Sequence, residues 1–344
     1  NGEDILLGTP ANMVRLSSTN NDRYYDTRMT GRLIAQPVQE LTFTGELTYD
    51  RLSRETVNYN KKITSLAYYD YDITTSPANS IYNNTKRSIN NMVLNLFGAY
   101  DKSFGDHQLG VLGGFNSEAY YEDYLNAEAF DMINDELPSI DQAIGEKMPG
   151  DYFSEYALMG FFGRINYSYK DRYLLEFNGR YDGSSKFPTG HRWGLFPSVS
   201  AGWRISEEPF MESLKNVIPE LKLRASYATL GNQNISPYGF LATMDISYPW
   251  VHDGKQTPTL GTPGLVRNDF TWETIQTRNI GLDITLFRGR FDAVIDIYSR
   301  KTKDMLDRAS EFPAVVGTSA PMMNVADLES KGWELDLKWR DRIG

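Results

Sequence analysis

Strict alternation of apolar and polar residues is the feature that most constrains the fold of this chain. Between Tyr173 and Tyr181 the odd-numbered positions read Tyr, Leu, Phe, Gly, Tyr, and the even-numbered positions from Glu176 to Asp182 are all polar. Successive side chains of a β-strand point to opposite faces, so the segment predicts a strand with one apolar and one charged face. The same period recurs at 41–50, 91–101 and 333–340. The chain is therefore predicted to be all-β.

Composition excludes several other classes of protein. The net charge of -10 and the pI of about 5.0 argue against a nucleic-acid-binding protein, which needs a basic surface. The absence of cysteine excludes a thiol nucleophile, a cysteine-ligated zinc and a disulfide scaffold. No apolar run approaches the ~20 residues of a transmembrane helix, so a bilayer would be crossed by strands. The 22 tyrosines favour strands and interfaces.

The connections between the strands fall into two length classes. Short turns are predicted at 103–107, 170–172 and 287–290, and a short helix over 206–217, with Ser206 as its N-cap. Long loops are predicted at 117–155, 183–191, 231–269 and 304–330, and loops beyond about 15 residues are uncommon in compact domains. Long strands joined alternately by short turns and long loops are typical of a transmembrane antiparallel β-barrel.

In such a barrel the apolar parity faces lipid and the charged parity faces a water-filled lumen. We expect Leu175, Phe177, Leu335 and Leu337 to face lipid, and Glu176, Arg180, Glu334 and Asp336 to face the lumen. Aromatic residues near strand ends should form interfacial girdles; they are Tyr167, Tyr169, Tyr173, Trp203, Trp333 and Trp339. A soluble β-sandwich or propeller also alternates, and it remains the alternative fold.

Four stretches of the sequence resemble a known family. They are "GFFGRINYSYKDRYLLEFNGRYDGSSKFPTGHRWGLFPSVSAGWRISEEPFM" (160–211), "WETIQTRNIGLDITLFRGRFDAVIDIYSRKTKDML" (272–306) and "KGWELDLKWR" (331–340), with "LKLRASYATLGNQNISPYGF" (221–240) between the first two. Together they resemble the barrel of SusC/RagA-like TonB-dependent transporters of Bacteroidota. Ala228, Thr229 and Ser330 depart from the family pattern, which affects local turns and leaves the alternation intact.

The resemblance implies more than a fold. The family barrel has about 22 strands, of which about 12 or 13 are expected here, so residues 1–344 should be part of the barrel domain, without the plug domain and the C-terminal closing strands. The implied function is TonB-dependent import of a glycan or an oligopeptide across the outer membrane of a Gram-negative bacterium. The implied partners are a SusD-like surface lipoprotein, the TonB–ExbB–ExbD system and outer-membrane lipid. A siderophore or cobalamin receptor and a soluble carbohydrate-binding β-domain are the alternatives.

Catalysis finds little support in the sequence, and neither a cofactor nor a metal is expected. His107, His191 and His252 lie in separate turns or loops, with no spacing of the HExxH type. The acidic segments 68–72 and 182–187 match no EF-hand loop. The chain is therefore not expected to be an enzyme.

Candidate contacts for a substrate or a lid lie in the loop 231–269. Aromatic faces combined with amides suit a sugar or a peptide, and the residues concerned are Asn232, Gln233, Tyr238, Tyr248 and Trp250. Packing within the loop explains the same residues equally well. Charged residues of the lumen wall are expected at Arg164, Glu176, Arg180, Asp182 and Arg204.

Overall fold

One antiparallel sheet dominates the computed structural model of this protein. The structure describes residues 6–16, 19–66, 72–253, 255–308, 313, 315, 317–318 and 320–341. Within these ranges the strands are β1 (Thr19–Val38), β2 (Leu41–Asn60), β3 (Ile63–Leu66), β4 (Ile73–Ser76), β5 (Ile81–Phe104), β6 (His107–Phe130), β7 (Lys147–Tyr169), β8 (Tyr173–Ser184), β9 (Trp193–Arg204), β10 (Glu220–Asn232), β11 (Ile246–His252), β12 (Lys255–Leu260), β13 (Glu273–Leu286), β14 (Phe291–Arg308) and β15 (Met322–Trp339).

Eleven of these strands form the sheet, in the order β1-β2-β5-β6-β7-β8-β9-β10-β13-β14-β15. Each strand therefore pairs with the next one along the chain, apart from two inserted hairpins, β3–β4 and β11–β12. The sheet of the described residues has eleven strands, fewer than the 12 or 13 predicted. The strands of the two hairpins lie in connections and pair only with each other. The predicted antiparallel architecture is confirmed.

The short connections lie together at one edge of the sheet, which we call the short-turn edge. Backbone hydrogen bonds join each connection to the neighbouring connection or strand end: Asp101 N to Glu40 O (2.9 Å), Lys170 N to Asp106 O (2.7 Å), Arg204 N to Arg172 O (2.8 Å), Phe287 N to Val217 O (2.8 Å) and Arg340 N to Arg290 O (2.8 Å). The prediction that the turns near 103–107, 170–172 and 287–290 share an edge with residues 206–217 is confirmed.

The short helix predicted over 206–217 is present as 3₁₀ turns, and its N-cap differs from the predicted one. The segment contains two 3₁₀ helices, Ile205–Glu207 and Pro209–Leu214. Glu208 is the N-cap of the second helix, and the predicted cap Ser206 is buried inside the first. Pro209 lacks an N–H and a short connection leaves little room, so the tighter 3₁₀ turn is favoured over a longer helix. An α-helix that the sequence did not signal spans Pro10–Leu16.

The longer connections lie at the opposite strand ends, which we call the long-loop edge. The predicted loops 117–155 and 304–330 were too long, because 117–130 and 147–155 belong to β6 and β7, and 304–308 and 322–330 belong to β14 and β15. Both faces of these extensions carry polar residues, so the apolar alternation that marks a strand disappears. Part of the 309–321 connection, and most of the acidic segment 68–72, lie outside the described residues.

The chain divides into two compact units. Unit 1 comprises Asn1–Thr30, Thr48–Met92 and Ala119–Glu155, and unit 2 comprises Gly31–Leu47, Val93–Glu118 and Tyr156–Gly344. Unit 1 has a small core of Tyr59, Tyr82, Ala129, Met132 and Ala143. Cross-strand ion pairs support its strands, among them Arg54–Asp22 (2.6 Å) and Arg87–Glu122 (2.6 Å).

Unit 2 has an apolar face and a polar face across seven of its paired strands. Directly paired residues point to the same face, and one row of pairs runs from β8 to β15: Leu175, Ala201, Ala225, Ile280, Ile297 and Trp333. The predicted parity is thereby confirmed, since Glu176, Arg180, Glu334 and Asp336 fall on the other face. Leu335 and Leu337 are 49% and 57% exposed, whereas a sandwich would bury them under a second sheet.

Aromatic residues border the apolar face at both ends. Near the short-turn edge Tyr173 stacks on Trp203, with ring centroids 6.4 Å apart, and Tyr169 lies beside His107 at 4.8 Å. Near the long-loop edge Tyr181 stacks on Trp193 at 4.8 Å. The nine residues from Tyr173 to Tyr181 rise about 27 Å along the strand, which a tilt of ~40° reduces to about 20 Å. The apolar band is thus somewhat narrower than the ~25 Å band of transmembrane barrels.

The described residues include no α-helix that is long and apolar enough to cross a bilayer.

A charge on the apolar face should be costly, whereas the same charge on the polar face should not. In the full-length protein refolded into lipid vesicles, Leu335→Arg should lower the free energy of unfolding by ~2–4 kcal/mol. The matched control Asp336→Arg, one residue along β15 on the polar face, should change it little. Urea titrations of both variants measure the difference. Equal losses would contradict the assignment of the faces.

Candidate functional site

The polar face of unit 2 carries a connected set of charged and amide side chains. Arg164 on β7 donates from Nε to Asn178 Oδ1 on β8 at 2.9 Å, and Asn178 Nδ2 donates to Glu176 Oε1 at 2.6 Å. Residue 164 pairs directly with residue 178, so the strand register alone brings the first two groups together. Two of the predicted wall residues, Arg164 and Glu176, therefore meet through one amide.

A second pair of predicted wall residues lies further along β8. Arg180 donates to Asp182 through Nε (3.0 Å) and Nη2 (2.8 Å), a bidentate geometry that fixes the guanidinium plane. Gly160 lies opposite Asp182, and a Cβ there would come within 2.0 Å of Asp182 Oδ1. Glycine at 160 thus leaves room for the ion pair.

Arg204 is located apart from the other four predicted wall residues. It ends β9 at the short-turn edge, where Nη1 donates to Asp171 O at 3.3 Å and Nη2 lies 3.7 Å from Glu207 Oε1. Its contacts tie two short connections to each other. Its assignment to the lumen wall stays a prediction.

A cavity of about 460 Å³ on the polar face was not anticipated from the sequence. Phe97 and Phe162 line it together with Leu112, Asn95, Arg164, Asn178 and Arg180. The Arg180 guanidinium lies 5.4 Å from the centre of the Phe162 ring. An aromatic floor rimmed by amides and guanidinium groups can bind a polar ligand that has a flat apolar face. The overlooked signal was the occurrence of Phe97 and Phe162 at positions of polar parity.

Gly114 makes this aromatic floor possible. A Cβ at position 114 would lie 2.6 Å from both phenylalanine side chains, Phe97 and Phe162, and 2.7 Å from Leu96 O. The neighbouring Gly113 has more space, since its nearest atom in the same test is Phe162 O at 3.9 Å. Packing therefore requires glycine at position 114 and not at position 113.

A larger cavity, of about 630 Å³, lies on the polar face towards the short-turn edge. Its lining includes Glu176, Lys222 and Arg224. Arg224 Nε donates to Asp283 Oδ1 at 3.1 Å, and Nη2 donates to Asp296 Oδ2 at 2.6 Å. The Arg224 guanidinium therefore joins three strands, β10, β13 and β14. Because two carboxylates already pair with it, less of its charge is available to a ligand.

The short-turn edge also buries a carboxylate. Glu208 is 6% exposed and its Oε1 accepts hydrogen bonds from Tyr173 Oη (2.6 Å) and Trp203 Nε1 (3.0 Å). These bonds, with the Arg172 guanidinium nearby, lower the pKa of Glu208 below its ordinary value. Two aromatic residues at the border of the apolar face are thereby fixed to the 3₁₀ segment.

The long-loop edge of unit 2 contains a buried aromatic cluster of Phe187, Phe196, Phe270 and Trp272. Trp272 Nε1 donates to Arg192 O at 2.8 Å, which joins the 185–192 loop to the start of β13. Phe196 covers Gly194 and Gly231, where a Cβ would come within 2.4 and 2.2 Å of its ring. The cluster gives the long loops a rigid base.

Three of the predicted contact residues belong to the segment 232–240, in which Ile235 and Phe240 pack against this cluster. Asn232 Nδ2 donates to Glu273 Oε2 at 2.5 Å, and Glu273 Oε1 accepts from Leu306 N at 2.8 Å, so these bonds join the ends of β10, β13 and β14. Gln233 Oε1 is buried without a hydrogen-bond partner among the described residues. Tyr238 is half-buried with a φ of 63°, the left-handed region.

The other two predicted contact residues lie on the hairpin β11–β12. Trp250 is 69% exposed and pairs with Thr257, next to a shift in register after Ser247. The side chain of Tyr248 lies outside the described residues. The structure thus separates the five predicted contacts into three near the base of the loop and two on a hairpin.

No group of three histidine, aspartate or glutamate residues that could hold a metal ion occurs in the described ranges. His107 Nδ1 lies 2.7 Å from Tyr167 Oη, and His252 is exposed next to Asp253. The histidines therefore make separate local contacts.

Comparison with known proteins agrees with this architecture. Residues 4–344 match a family model described as TonB dependent receptor-like, beta-barrel. TonB-dependent receptor P26 of Formosa agariphila is 37% identical over 244 residues, which are 69% of this chain and 24% of that protein. TonB-dependent receptor SusC of Bacteroides thetaiotaomicron is 32% identical over 252 residues, 72% of this chain and 24% of that protein. The chain spans about a quarter of the length of these relatives.

Solved structures show the same fold. The RagAB peptide transporter superposes with a TM-score of 0.82 at 24% identity, covering 95% of this chain and 35% of that chain. The ferric-catecholate import receptor Fiu of E. coli K12 gives a TM-score of 0.57 at 11% identity, covering 94% of this chain and 46% of that chain. At these identities the likeness concerns the fold.

Two adjacent glycines test the aromatic floor of the smaller cavity. In the full-length protein Gly114→Ala should lower the free energy of unfolding by about 1–3 kcal/mol, because the added methyl group forces Phe97 and Phe162 from their positions. Gly113→Ala on the same strand is the matched control and should have a much smaller effect. A gel-shift assay on both variants measures the temperature at which the folded form unfolds, and this temperature should fall more for Gly114→Ala. If Gly113→Ala lowers the unfolding temperature as much as Gly114→Ala does, the close packing of Phe97 and Phe162 on Gly114 is refuted.

Proposed function

Because this chain belongs to the TonB-dependent receptor β-barrel family, we propose that it forms part of the wall of an outer-membrane transporter. The transporter imports a bulky nutrient, a glycan or an oligopeptide, across the outer membrane of a Gram-negative bacterium of the Bacteroidota. Residues 1–344 contribute part of its barrel domain. The similarity to SusC supports TonB-dependent transport, and the RagAB transporter, which has the same fold, carries peptides.

The observation that carries the proposal is the contrast between the two faces of unit 2. One face is a band of aliphatic residues bordered by aromatic rows, such as Tyr173–Trp203 and Tyr181–Trp193. The other has ion pairs and amides, such as Arg180–Asp182 and Arg164–Asn178. In a bilayer the first face contacts lipid and the second lines an aqueous lumen. A soluble carbohydrate-binding domain would leave the apolar band in water.

Transport of a bulky solute needs energy, and the outer membrane has no ion gradient or nucleotide of its own to supply it. We therefore include the TonB–ExbB–ExbD system as a partner of the full-length protein, acting through a region outside this chain. A SusD-like surface lipoprotein is the second proposed partner, and the similarity to the SusC relative supports it.

The polar face provides the path for the substrate. Arg164, Glu176, Arg180 and Asp182 are held by hydrogen bonds, so they give the lumen a fixed pattern of charge at little further entropic cost. The Phe97–Phe162 cavity on the same face offers a flat apolar contact between polar groups. Such a surface suits sugar rings or peptide side chains.

Capture of the substrate or of the lid is proposed for the long-loop edge. Trp250 exposes a large ring on the hairpin β11–β12, with Tyr248 two residues away in the sequence. Asn232, Gln233 and Tyr238 then support the base of the same loop, with Gln233 Oε1 as one acceptor still to be satisfied.

Deletion of the full-length gene tests the substrate class. The deletion strain should lose growth on one glycan or oligopeptide among a panel of sole carbon sources, and a plasmid copy should restore it. Growth with iron limited to ferric siderophores, or on a medium that requires cobalamin, should be unchanged. Loss of growth only under the iron or cobalamin conditions would replace this proposal with the siderophore or cobalamin receptor.

Trp250 tests the long-loop edge. Stacking on an exposed ring contributes up to ~1–3 kcal/mol, so Trp250→Ala should weaken substrate capture or lid binding roughly fivefold or more. Val251→Ala, an equally exposed neighbour on the same hairpin, is the matched control. Uptake of labelled nutrient at equal outer-membrane protein level is the measurement. Unchanged uptake by the Trp250 variant would remove this residue from the site.

A further inference from the structure

A groove of about 580 Å³ opens on the apolar face where β13, β14 and β15 pass the border of the apolar band. Two adjacent rows of paired residues line it. In the row nearer the long-loop edge, Arg278 pairs with Ser299 and Ser299 pairs with Lys331. Arg278 is exposed, and the side chain of Lys331 is 69% exposed. The upper row of the groove is therefore polar and carries two cations.

The next row towards the short-turn edge is entirely apolar. Ile280 pairs with Ile297, which pairs with Trp333. These side chains are 60%, 62% and 73% exposed. The change from cations to hydrocarbon takes place over one step of two residues, about 7 Å along the strand.

Further cations lie beyond the border on the same face of β14. Lys301 and Lys303 have the parity of Ser299, and two carboxylates on β15 accompany them: Asp327 lies 2.9 Å from Lys301, and Glu329 lies 3.0 Å from Lys331. Arg278, Lys301, Lys303 and Lys331 outnumber these two carboxylates. The patch is thus positive in a chain whose net charge is -10.

We infer that this groove binds a phosphate-bearing lipid of the outer leaflet, with the phosphate on Arg278 and Lys331 and an acyl chain along Ile280, Ile297 and Trp333. The two cations lie two strands apart, about 10 Å. The Arg278 guanidinium lies 5.9 Å from the centre of the Tyr227 ring and Lys331 pairs with Glu329, so both long side chains turn towards each other when one anionic headgroup binds between them. A soluble anion would not need the apolar row, and an uncharged lipid would not need the cations. The inference rests on the proposed function in one respect, which is that the apolar band lies in the outer membrane.

Lipid binding by the purified full-length protein tests the inference. Native mass spectrometry in detergent would compare diphosphoryl lipid A with dioleoylphosphatidylcholine, and inorganic phosphate would be added as a competitor. Lipid A should bind more tightly than phosphatidylcholine, and free phosphate should not displace it. Because each basic residue near an anionic lipid surface contributes about a factor of 5, Arg278→Gln/Lys331→Gln should weaken lipid A binding roughly 10- to 30-fold.

Two further variants keep the test specific. Arg300→Gln/Lys338→Gln removes the same charge from the polar face of β14 and β15, and it should leave lipid A binding within about twofold. Glu329→Gln removes the carboxylate that holds Lys331, so it should strengthen binding. A general loss of folding would not produce that opposite effect.

Three results would refute the lipid site, and they distinguish its failure from a failure of the proposed transport function. If the groove variant inserts at the normal level and binds lipid A as tightly as the wild-type protein, the lipid site is wrong and the transporter proposal stands. Displacement by inorganic phosphate would also refute it, since the site would then recognise a free anion. If the full-length protein is absent from the outer membrane, both proposals fail.

Discussion

A sheet that crosses a bilayer has to pair its backbone amides with other protein groups, because hydrocarbon offers no hydrogen-bond partner. The register from β7 to β15 meets this demand: twelve consecutive pairs join β7 to β8, from Leu158–Ser184 to Tyr169–Tyr173, and thirteen join β13 to β14, from Thr274–Lys303 to Leu286–Phe291. Register also fixes parity, since a slip of one residue would move every side chain to the other face. The two faces, the aromatic borders and both polar-face cavities all depend on this pairing.

Three glycines make room for bulky side chains on the polar face, where paired residues of neighbouring strands lie close together. Gly114 lies under Phe97 and Phe162, Gly160 lies opposite Asp182, and Gly281 lies where a Cβ would come within 2.5 Å of the Arg224 guanidinium. In each case the side chain on a neighbouring strand occupies the space that a Cβ would fill. Packing therefore requires glycine at these three positions. A Cβ there would displace the side chains that line the polar face, among them Asp182, which is proposed to line the transport path.

Alternation predicted the strands of the apolar band, their parity, their antiparallel order and the edge at which each connection lies. It failed where both faces are polar, as in 117–130 of β6, because no contrast between faces then marks the strand. It also missed the Phe97–Phe162 cavity, since an aromatic residue on the polar parity signals a site only when its neighbours across the sheet are known. The Asn232 amide donates to Glu273 across β10 and β13, a contact that the spacing of the sequence did not reveal, and its role as a ligand contact stays a prediction. Side-chain roles in loops depend on contacts distant in sequence, which spacing does not encode.

The two faces of unit 2 should meet different solvents, and the accessibility of successive positions along one strand to water and to lipid measures this difference. The 344 residues contain no cysteine, so single cysteines can be placed at Leu175, Glu176, Phe177 and Asn178 of β8 in the full-length protein, once any cysteines elsewhere in it are replaced. Labelling in intact outer membranes with a water-soluble maleimide should be fast at 176 and 178, and slow at 175 and 177, where a spin-labelled lipid should quench an attached fluorophore. Equal labelling at all four positions, or the opposite parity, would contradict the account.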